Sequence, residues 1–360
     1  MFCQITAMTF FFQHSDIHAS LSNTADLHSM SQLALVTGAT GFVGSWLAEY
    51  LVEQGYRVRV LTRAQSSKDN LSHLPVEYVV GDYTKPDTLQ HAVAGVDYVF
   101  HSAALTKART ESEFYAANVT ATENLLYATQ TAAPRIKRFL HISTQAAVGP
   151  SPAADQPVDE TAPCRPLTMY GRTKLQAELV CKKFMQTLPI TIVRPSVVYG
   201  PRDRDMLEFF KAVKNGLMPK FGFGVKKLLN IVHVRDLVRG IRLAAEHPCA
   251  VGETYFISSE QAYTWDQIGF AAKAALGKSY LLTLTLPDWL VYGIASLNEA
   301  LARAQGKVSI INREKAIEGA QLYWTCSIAK AKAHFGYTPE ISLEQGVAET
   351  IEWALRVGWL

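Results

Sequence analysis

The chain is constrained first by one short stretch. An apolar run, Leu33 to Val36, closed by Thr37, leads directly into a turn with glycines at 38, 41 and 44, and a longer amphipathic run follows as far as Gln54, with Gly55 behind it. Leu33 to Thr37 reads as a buried strand, Gly44 to Gln54 as a helix ended by Gly55, and Arg57 to Leu61 as the next strand, which together make one βαβ unit. Three glycines alone would be explained by a plain structural turn. Placed between a strand and a helix, Gly38, Gly41 and Gly44 permit a tight turn, close approach to a pyrophosphate and close helix packing, with the phosphate at a helix N-terminus. The loop residues Thr40, Phe42 and Val43 complete this candidate dinucleotide site.

The same alternation continues. Apolar strands are expected at Glu77 to Val80, Tyr98 to His101, Phe139 to Ser143, Ile190 to Arg194 and Thr254 to Ile257, each separated by helix-compatible sequence. The expected fold is α/β, a doubly wound parallel sheet of about seven strands. After Pro195 the character changes: loops rich in Gly, Pro and charge surround helical stretches at Met206 to Asn215, Thr264 to Leu276 and Asp288 to Gln305. We therefore expect a dinucleotide-binding domain over 31–196 and a smaller, mainly substrate-binding domain over 197–360. A segment near 254–257 returns to the sheet, so the two interleave. Residues 1–30 carry no Lys or Arg beside the Phe10 to Phe12 run and lack the basic flank of a secretory signal. They are expected to be a disordered leader, or to precede a true start at Met30.

Composition narrows the partners. The 35 basic and 32 acidic side chains are spread along all 360 residues, so no electrostatic footprint argues for nucleic acid, and a small-molecule substrate is expected. Cys3, Cys164, Cys181, Cys249 and Cys326 are scattered without paired spacing, which fits reduced structural thiols in a cytoplasmic protein and predicts no metal site. The most apolar later stretch, Leu281 to Leu297, is broken by Pro287 and Asp288, too interrupted to span a bilayer as a helix. It leaves room for peripheral membrane contact.

Two further features bear on chemistry. The end of the second strand reads Leu61-Thr62-Arg63, without the acid that would bind a ribose 2′-hydroxyl. Arg63, beside Ser66, Ser67 and Lys68, favours NADP over NAD, unless it is an ordinary loop arginine. In Tyr170-Gly-Arg-Thr-Lys174 the four-residue spacing stacks a phenol and an ammonium on one helix face. A free phenol ionises near pH 10, roughly, so acid–base work near neutrality needs a nearby positive charge, which Lys174 supplies.

Four motifs occur in order: TGATGFVG at Thr37 to Gly44, HISTQAAVG at His141 to Gly149, YGRTK at Tyr170 to Lys174, and RPSVVYGP at Arg194 to Pro201. With them the chain, over residues 31 to 360, resembles the extended short-chain dehydrogenase/reductase family, often labelled NAD-dependent epimerase/dehydratase. That resemblance implies a Rossmann fold, a C-terminal substrate domain and hydride transfer at an alcohol or ketone carbon. By it, Thr144, five residues before Gly149, holds the substrate oxygen, with Ser143 as the less favoured neighbour. Tyr170 removes or returns a proton, and Lys174 lowers the phenol pKa and grips the nicotinamide ribose. Asn118, within FYAANVTATENLL, matches the asparagine that supports the lysine through a helix distortion and water, or is an ordinary polar helix residue. Gly81-Asp82-Tyr83 resembles the adenine-contacting segment, where Asp82 binds the adenine amino group or merely caps a turn. His101 to Ala104 matches the cofactor-side turn carrying Ala103, with His101 itself packed. Arg194, Pro195 and His233 to Asp236 are expected to position structure. Members dimerise through two helices, here Ala116 to Ala128 and Tyr170 to Thr187, which implies a homodimer.

The family divides between sugar-nucleotide epimerases and dehydratases, which reuse tightly bound NAD, and reductases or dehydrogenases of hydroxysteroid or dihydroflavonol type. The acid-free strand end and the apolar Leu281 to Leu297 region favour the second group, acting on a fairly apolar, polycyclic or isoprenoid-like alcohol or ketone. The alternative needs donors for a diphosphate, for which Arg202, Arg204, Lys226 and Lys227 are candidates unless they are solvated loop charges. A third reading, a non-catalytic NADP-binding sensor or assembly protein, is disfavoured by the presence of Thr144, Tyr170 and Lys174 together.

Overall fold

The computed structural model describes residues 31–222, 226–305 and 313–360. The leader expected over 1–30, with Cys3 in it, lies outside them. β1 (Leu33–Thr37) is buried at all five positions, as befits a continuous apolar strand covered on both faces. The glycine turn leads into α1 (Phe42–Glu53), which starts two residues before the expected Gly44, with Gly41 at the cap. β2 (Arg57–Thr62) pairs in parallel with β1, Leu33 opposite Arg57, and β3 (Val76–Val80) pairs with β2.

After α2 (Pro86–Val93), β4 (Tyr98–His101) pairs with the other edge of β1, so the chain reverses its direction of travel across the sheet there. Such a reversal opens a crevice beyond the carboxyl ends of the strands. α3 (Glu111–Tyr115) passes through a π-helical turn, Ala116–Thr120, into α4 (Ala121–Ala132). β5 (Arg138–Ile142), α5 (Met169–Phe184) and β6 (Ile190–Pro195) follow.

Beyond β6 come β7 (Val197–Tyr199), α6 (Asp205–Lys214), β8 (Leu217–Phe221), β9 (Leu228–Leu229), β10 (Ile231–His233), α7 (Val234–Glu246) and β11 (Thr254–Ile257). The chain continues through β12 (Tyr263–Thr264), α8 (Trp265–Ala275), β13 (Leu282–Leu286), α9 (Asp288–Ala304), α10 (Arg313–Ala320), β14 (Tyr323–Trp324), α11 (Ala329–Phe335) and α12 (Leu343–Arg356). The main sheet has the order β11-β6-β5-β4-β1-β2-β3, all parallel: the expected seven-stranded doubly wound Rossmann sheet, with Thr254–Ile257 on its edge.

One face of the sheet is covered by α1 and α7, through Leu47, Leu51, Leu237 and Ile241. The other is covered by Leu125, Leu126, Val180 and Phe184 of α4 and α5. α7 was not anticipated from the sequence, although Val234, Leu237, Val238, Ile241 and Ala245 recur at helical spacing and are buried. The outlying elements gather round a third cluster, including Phe210, Ile268, Val347 and Ile351.

Candidate active site

The glycine turn is closed by the Gly41 N–H donating to the Gly38 carbonyl at 3.0 Å. A methyl group on Gly44 would lie 2.2 Å from that carbonyl oxygen, and one on Gly38 (φ +68°) 2.7 Å from the Ala103 backbone. Turn, helix and β4 loop therefore meet only where side chains are missing. The α1 N-terminus has no side-chain cap and no acid in its first turn, so its amides are left for an anion. Thr40, Phe42 and Val43 lie half-buried along this turn. The arrangement fits the pyrophosphate of a dinucleotide.

The Thr37 hydroxyl accepts from the Ala103 N–H at 3.2 Å and shares a 2.8 Å hydrogen bond with His101 Nδ1, whose Nε2 lies 2.9 Å from Thr122 Oγ1. His101 is thus packed, and burial pushes its pKa down to about 3, keeping the ring neutral.

At the other end of the crevice, Thr62 is buried and Arg63 exposed, with no carboxylate at the strand end. Asp82 Oδ1 accepts from the Thr84 N–H at 2.9 Å and hydroxyl at 2.8 Å, a turn-closing role that holds its carboxyl below the usual range. Tyr83, for which no separate role was expected, lies near Thr37 and Arg63, which favour its ionised form, while burial pushes its phenol up to about 12.

The Thr168 hydroxyl caps α5 by accepting from the Gly171 N–H at 3.1 Å. A methyl group on Gly171 would stand 2.4 Å from the Ala146 carbonyl oxygen, so the helix start sits directly on the 3-10 turn Gln145–Ala147. Thr144 caps that turn, and its hydroxyl lies near enough to the Tyr170 phenol to favour the ionised form, which brings those two predicted residues together. Burial, and after it the Glu318 carboxylate, hold the Tyr170 phenol above its ordinary range against the lowering pull of Thr144.

Ser143 is engaged elsewhere: its hydroxyl donates to Glu178 at 2.5 Å, and Glu178 pairs bidentately with Arg194 at 3.0 and 2.6 Å, all buried. Lys174 Nζ donates to the Ile142 carbonyl at 2.7 Å and lies 3.3 Å from His141 Nε2. Burial pulls its pKa down to about 8. Asn118 sits in the π-helical turn and bonds both ways with Leu105, at 2.7 and 3.0 Å, and with Thr173 at 3.1 Å. It therefore touches the neighbour of Lys174, with the helix distortion present.

From the outlying elements, Glu314 accepts from the Met169 N–H and Glu318 from the Thr168 hydroxyl at 3.3 Å. Lys315 bridges Glu318 and Asp205, and Asp205 also pairs with Lys107. The candidate diphosphate donors are mostly occupied. Arg202 pairs with Glu49 at 2.6 Å and lies over Trp46, Arg204 lies over Trp359, and Lys227 pairs with Asp288 and the Gly319 carbonyl. Arg204 and Lys226 are exposed, Arg202 is half-buried and Lys227 is buried.

Residues 34–258 match the model of the NAD dependent epimerase/dehydratase family. The chain belongs to this family. It is an extended short-chain dehydrogenase/reductase, an NAD(P)-dependent dehydrogenase, reductase or epimerase. Similar relatives include a 3-beta-hydroxysteroid dehydrogenase of Mycolicibacterium neoaurum, 32% identical over 89% of this chain and 90% of the relative. A 4-hydroxy-2-methyl-3-oxo-4-farnesyl-3,4-dihydroquinoline-1-oxide ketoreductase of Stigmatella aurantiaca is 31% identical over 87% and 93%. Among solved structures, gox2253 aligns with a TM-score of 0.75 at 31% identity, over 91% of this chain and 99% of that one.

Within this short-chain enzyme, sequence reasoning passed over Glu178, although Tyr170, Lys174 and Glu178 repeat at four-residue intervals along one helix face. It also passed over Glu314 and Glu318, for which no local signal exists: they reach α5 from more than 140 positions away in the chain.

Proposed function

We propose that this enzyme is an NADP-preferring reductase or dehydrogenase, interconverting a ketone and a secondary alcohol on a fairly apolar small molecule. The observation that carries the reading is the meeting of the Thr144 hydroxyl and the Tyr170 phenol on a turn and helix packed through Gly171. Two hydroxyls so placed hold one substrate oxygen: Thr144 orients it and Tyr170 donates its proton in reduction or removes it in oxidation. A phenol held above its ordinary range is protonated near neutral pH, ready to donate. Lys174 supplies positive charge on the same helix and hydroxyl-binding capacity for the ribose. Asn118, through Leu105 and Thr173, fixes the helix turn against which Lys174 is set. When bound, the nicotinamide supplies or takes the hydride at the carbinol carbon.

Gly38, Thr40, Gly41, Phe42, Val43 and Gly44 would hold the pyrophosphate, with Ala103 allowing close approach. Arg63 at an acid-free strand end supports NADP over NAD; Asp82 would face the adenine. The names of the farnesyl-quinoline ketoreductase and the hydroxysteroid dehydrogenase support an apolar polycyclic or isoprenoid-like substrate. The ion pairs of Arg202 and Lys227 weigh against a sugar diphosphate. Tyr115, Tyr127 and Leu179, exposed on α3, α4 and α5, support a homodimer through that face. The test is NADPH oxidation with a panel of steroid, prenylated-quinoline and decalone ketones against nucleotide sugars. Turnover of an apolar ketone supports the proposal; conversion of nucleotide sugars alone overturns it.

A further inference from the structure

The most unusual surface of the molecule lies away from the crevice residues. β8 and β13 form a two-stranded parallel ribbon, with Leu217 opposite Leu282 and Pro219 opposite Leu284. A strand's alternate positions share a face, so Leu282 and Leu284 stand side by side, and both are exposed, Leu282 to 64%. α9 follows directly. Trp289 (74% exposed), Tyr292, Ile294, Leu297 (62%) and Leu301 are all exposed along it. Ala295 is the one fully buried residue among the described residues of that helix. Its charges do not interrupt the face: Asp288 pairs with Lys227 and Glu299 with Arg313. A helix that buries almost nothing and turns its large apolar residues outward fits a water-excluding partner.

Charge identifies the partner. The carboxylates of α6, α8 and α9 each have a cation: Asp205 with Lys107, Glu208 with Lys211, Asp266 with Lys220, Asp288 with Lys227, Glu299 with Arg313. Lys214, Lys273 and Lys278 have no such partner among the described residues. Lys214 and Lys278 precede β8 and β13, at the same end of the ribbon, and the Lys278 N–H bonds the Lys273 carbonyl at 3.1 Å. Lys214 and Lys278 thus flank the start of the ribbon that carries exposed Leu282 and Leu284, and α9 with Trp289 and Tyr292 follows its other end. That combination suits an anionic lipid surface, where aromatic rings settle at headgroup level and lysines meet the phosphates. A second copy packed on this face would bring these lysines no carboxylate, since those of the face are already paired.

We propose that the outward face of β13 and α9 docks on an anionic bilayer surface, with Lys214, Lys273 and Lys278 on the headgroups. No helix among the described residues is long and apolar enough to cross a membrane, so the contact is peripheral. That docking would deliver an apolar substrate from the bilayer rests on the function proposed above; the docking itself does not.

The test is flotation of the full chain with phosphatidylcholine vesicles and with phosphatidylcholine–phosphatidylglycerol vesicles. We expect flotation with the mixed vesicles, little with phosphatidylcholine alone, and partial release by salt. Replacing Lys214, Lys273 and Lys278 by Ser should weaken binding roughly fivefold per lysine. Trp289→Ser with Leu297→Ser should abolish it while NADPH binding remains. Brominated lipid should quench Trp fluorescence in the parent and far less in Trp289→Phe, a variant that keeps the face apolar. Absence of flotation with both vesicles overturns the proposal, even if a variant fails to fold, because the parent alone decides it. A sedimentation-detected dimer dispersed by Trp289→Ser with Leu297→Ser overturns it in favour of a second copy. Lack of ketone turnover leaves the flotation result standing.

Discussion

At the scale of single residues, Tyr170 and Lys174 make separable predictions. Tyr170→Phe removes the proton donor without altering the glycine turn, so kcat should fall by about 10²–10⁴ while NADPH affinity, read by fluorescence titration, stays unchanged. Retained turnover would remove Tyr170 from the chemistry. Lys174, lowered to about 8 by burial, loses its positive charge as pH rises through that value. If the cation is needed, kcat/KM of the free enzyme should decline on the alkaline side near pH 8, and Lys174→Arg should abolish that limb at some cost in rate. A profile flat from pH 7 to about 9 would contradict this. The placing of Tyr170 and Lys174 on one helix was legible because four-residue spacing is a local property. Their partners were not. Ile142 and His141 reach Lys174 from a strand some thirty residues earlier, and only the packing of α5 on β5 brings them there.

At the scale of elements, the join between α5 and the Gln145–Ala147 turn does the positioning. Gly171→Ala places a methyl group 2.4 Å from the Ala146 carbonyl oxygen, and backbone must move to admit it. A displacement near 1 Å at the reacting groups costs roughly 100-fold in rate, so the variant should lose kcat while its dinucleotide affinity holds; wild-type kcat would show that the seating is irrelevant. Beneath it, Glu178→Gln leaves the Arg194 guanidinium buried without its counter-charge, and chemical denaturation should register a loss of about 3–5 kcal/mol. The strands were readable to within a residue or so, because buried parallel strands are continuous β-branched runs bounded by turns. The short strands β9, β12 and β14 were not, since two-residue strands carry no periodicity; α7 carries its apolar spacing from Val234 to Ala245 and was passed over.

At the scale of the whole molecule, burial of three histidines sets the acid limit. His101 is pushed down to about 3, His233 to about 4 and His141 well below its ordinary value, all by burial first. The unfolded chain binds these protons near pH 6.5 and the native chain does not. Stability is therefore full above about pH 6.5 and is lost as pH falls toward 4, by up to about 4 kcal/mol per pH unit for three protons. Melting temperatures should drop steeply between pH 6.5 and 5, roughly; an unchanged Tm would contradict the burial. The overall sheet order was legible from the strand and helix alternation, whereas the contact of α10 with the start of α5 was not, because it joins segments with no shared pattern. The most direct measurement is a fluorescence titration of the purified protein with NADPH and NADH, with mass analysis of any dinucleotide retained. The account predicts exchangeable binding with NADPH preferred; retained NAD, or a preference for NADH, would contradict it.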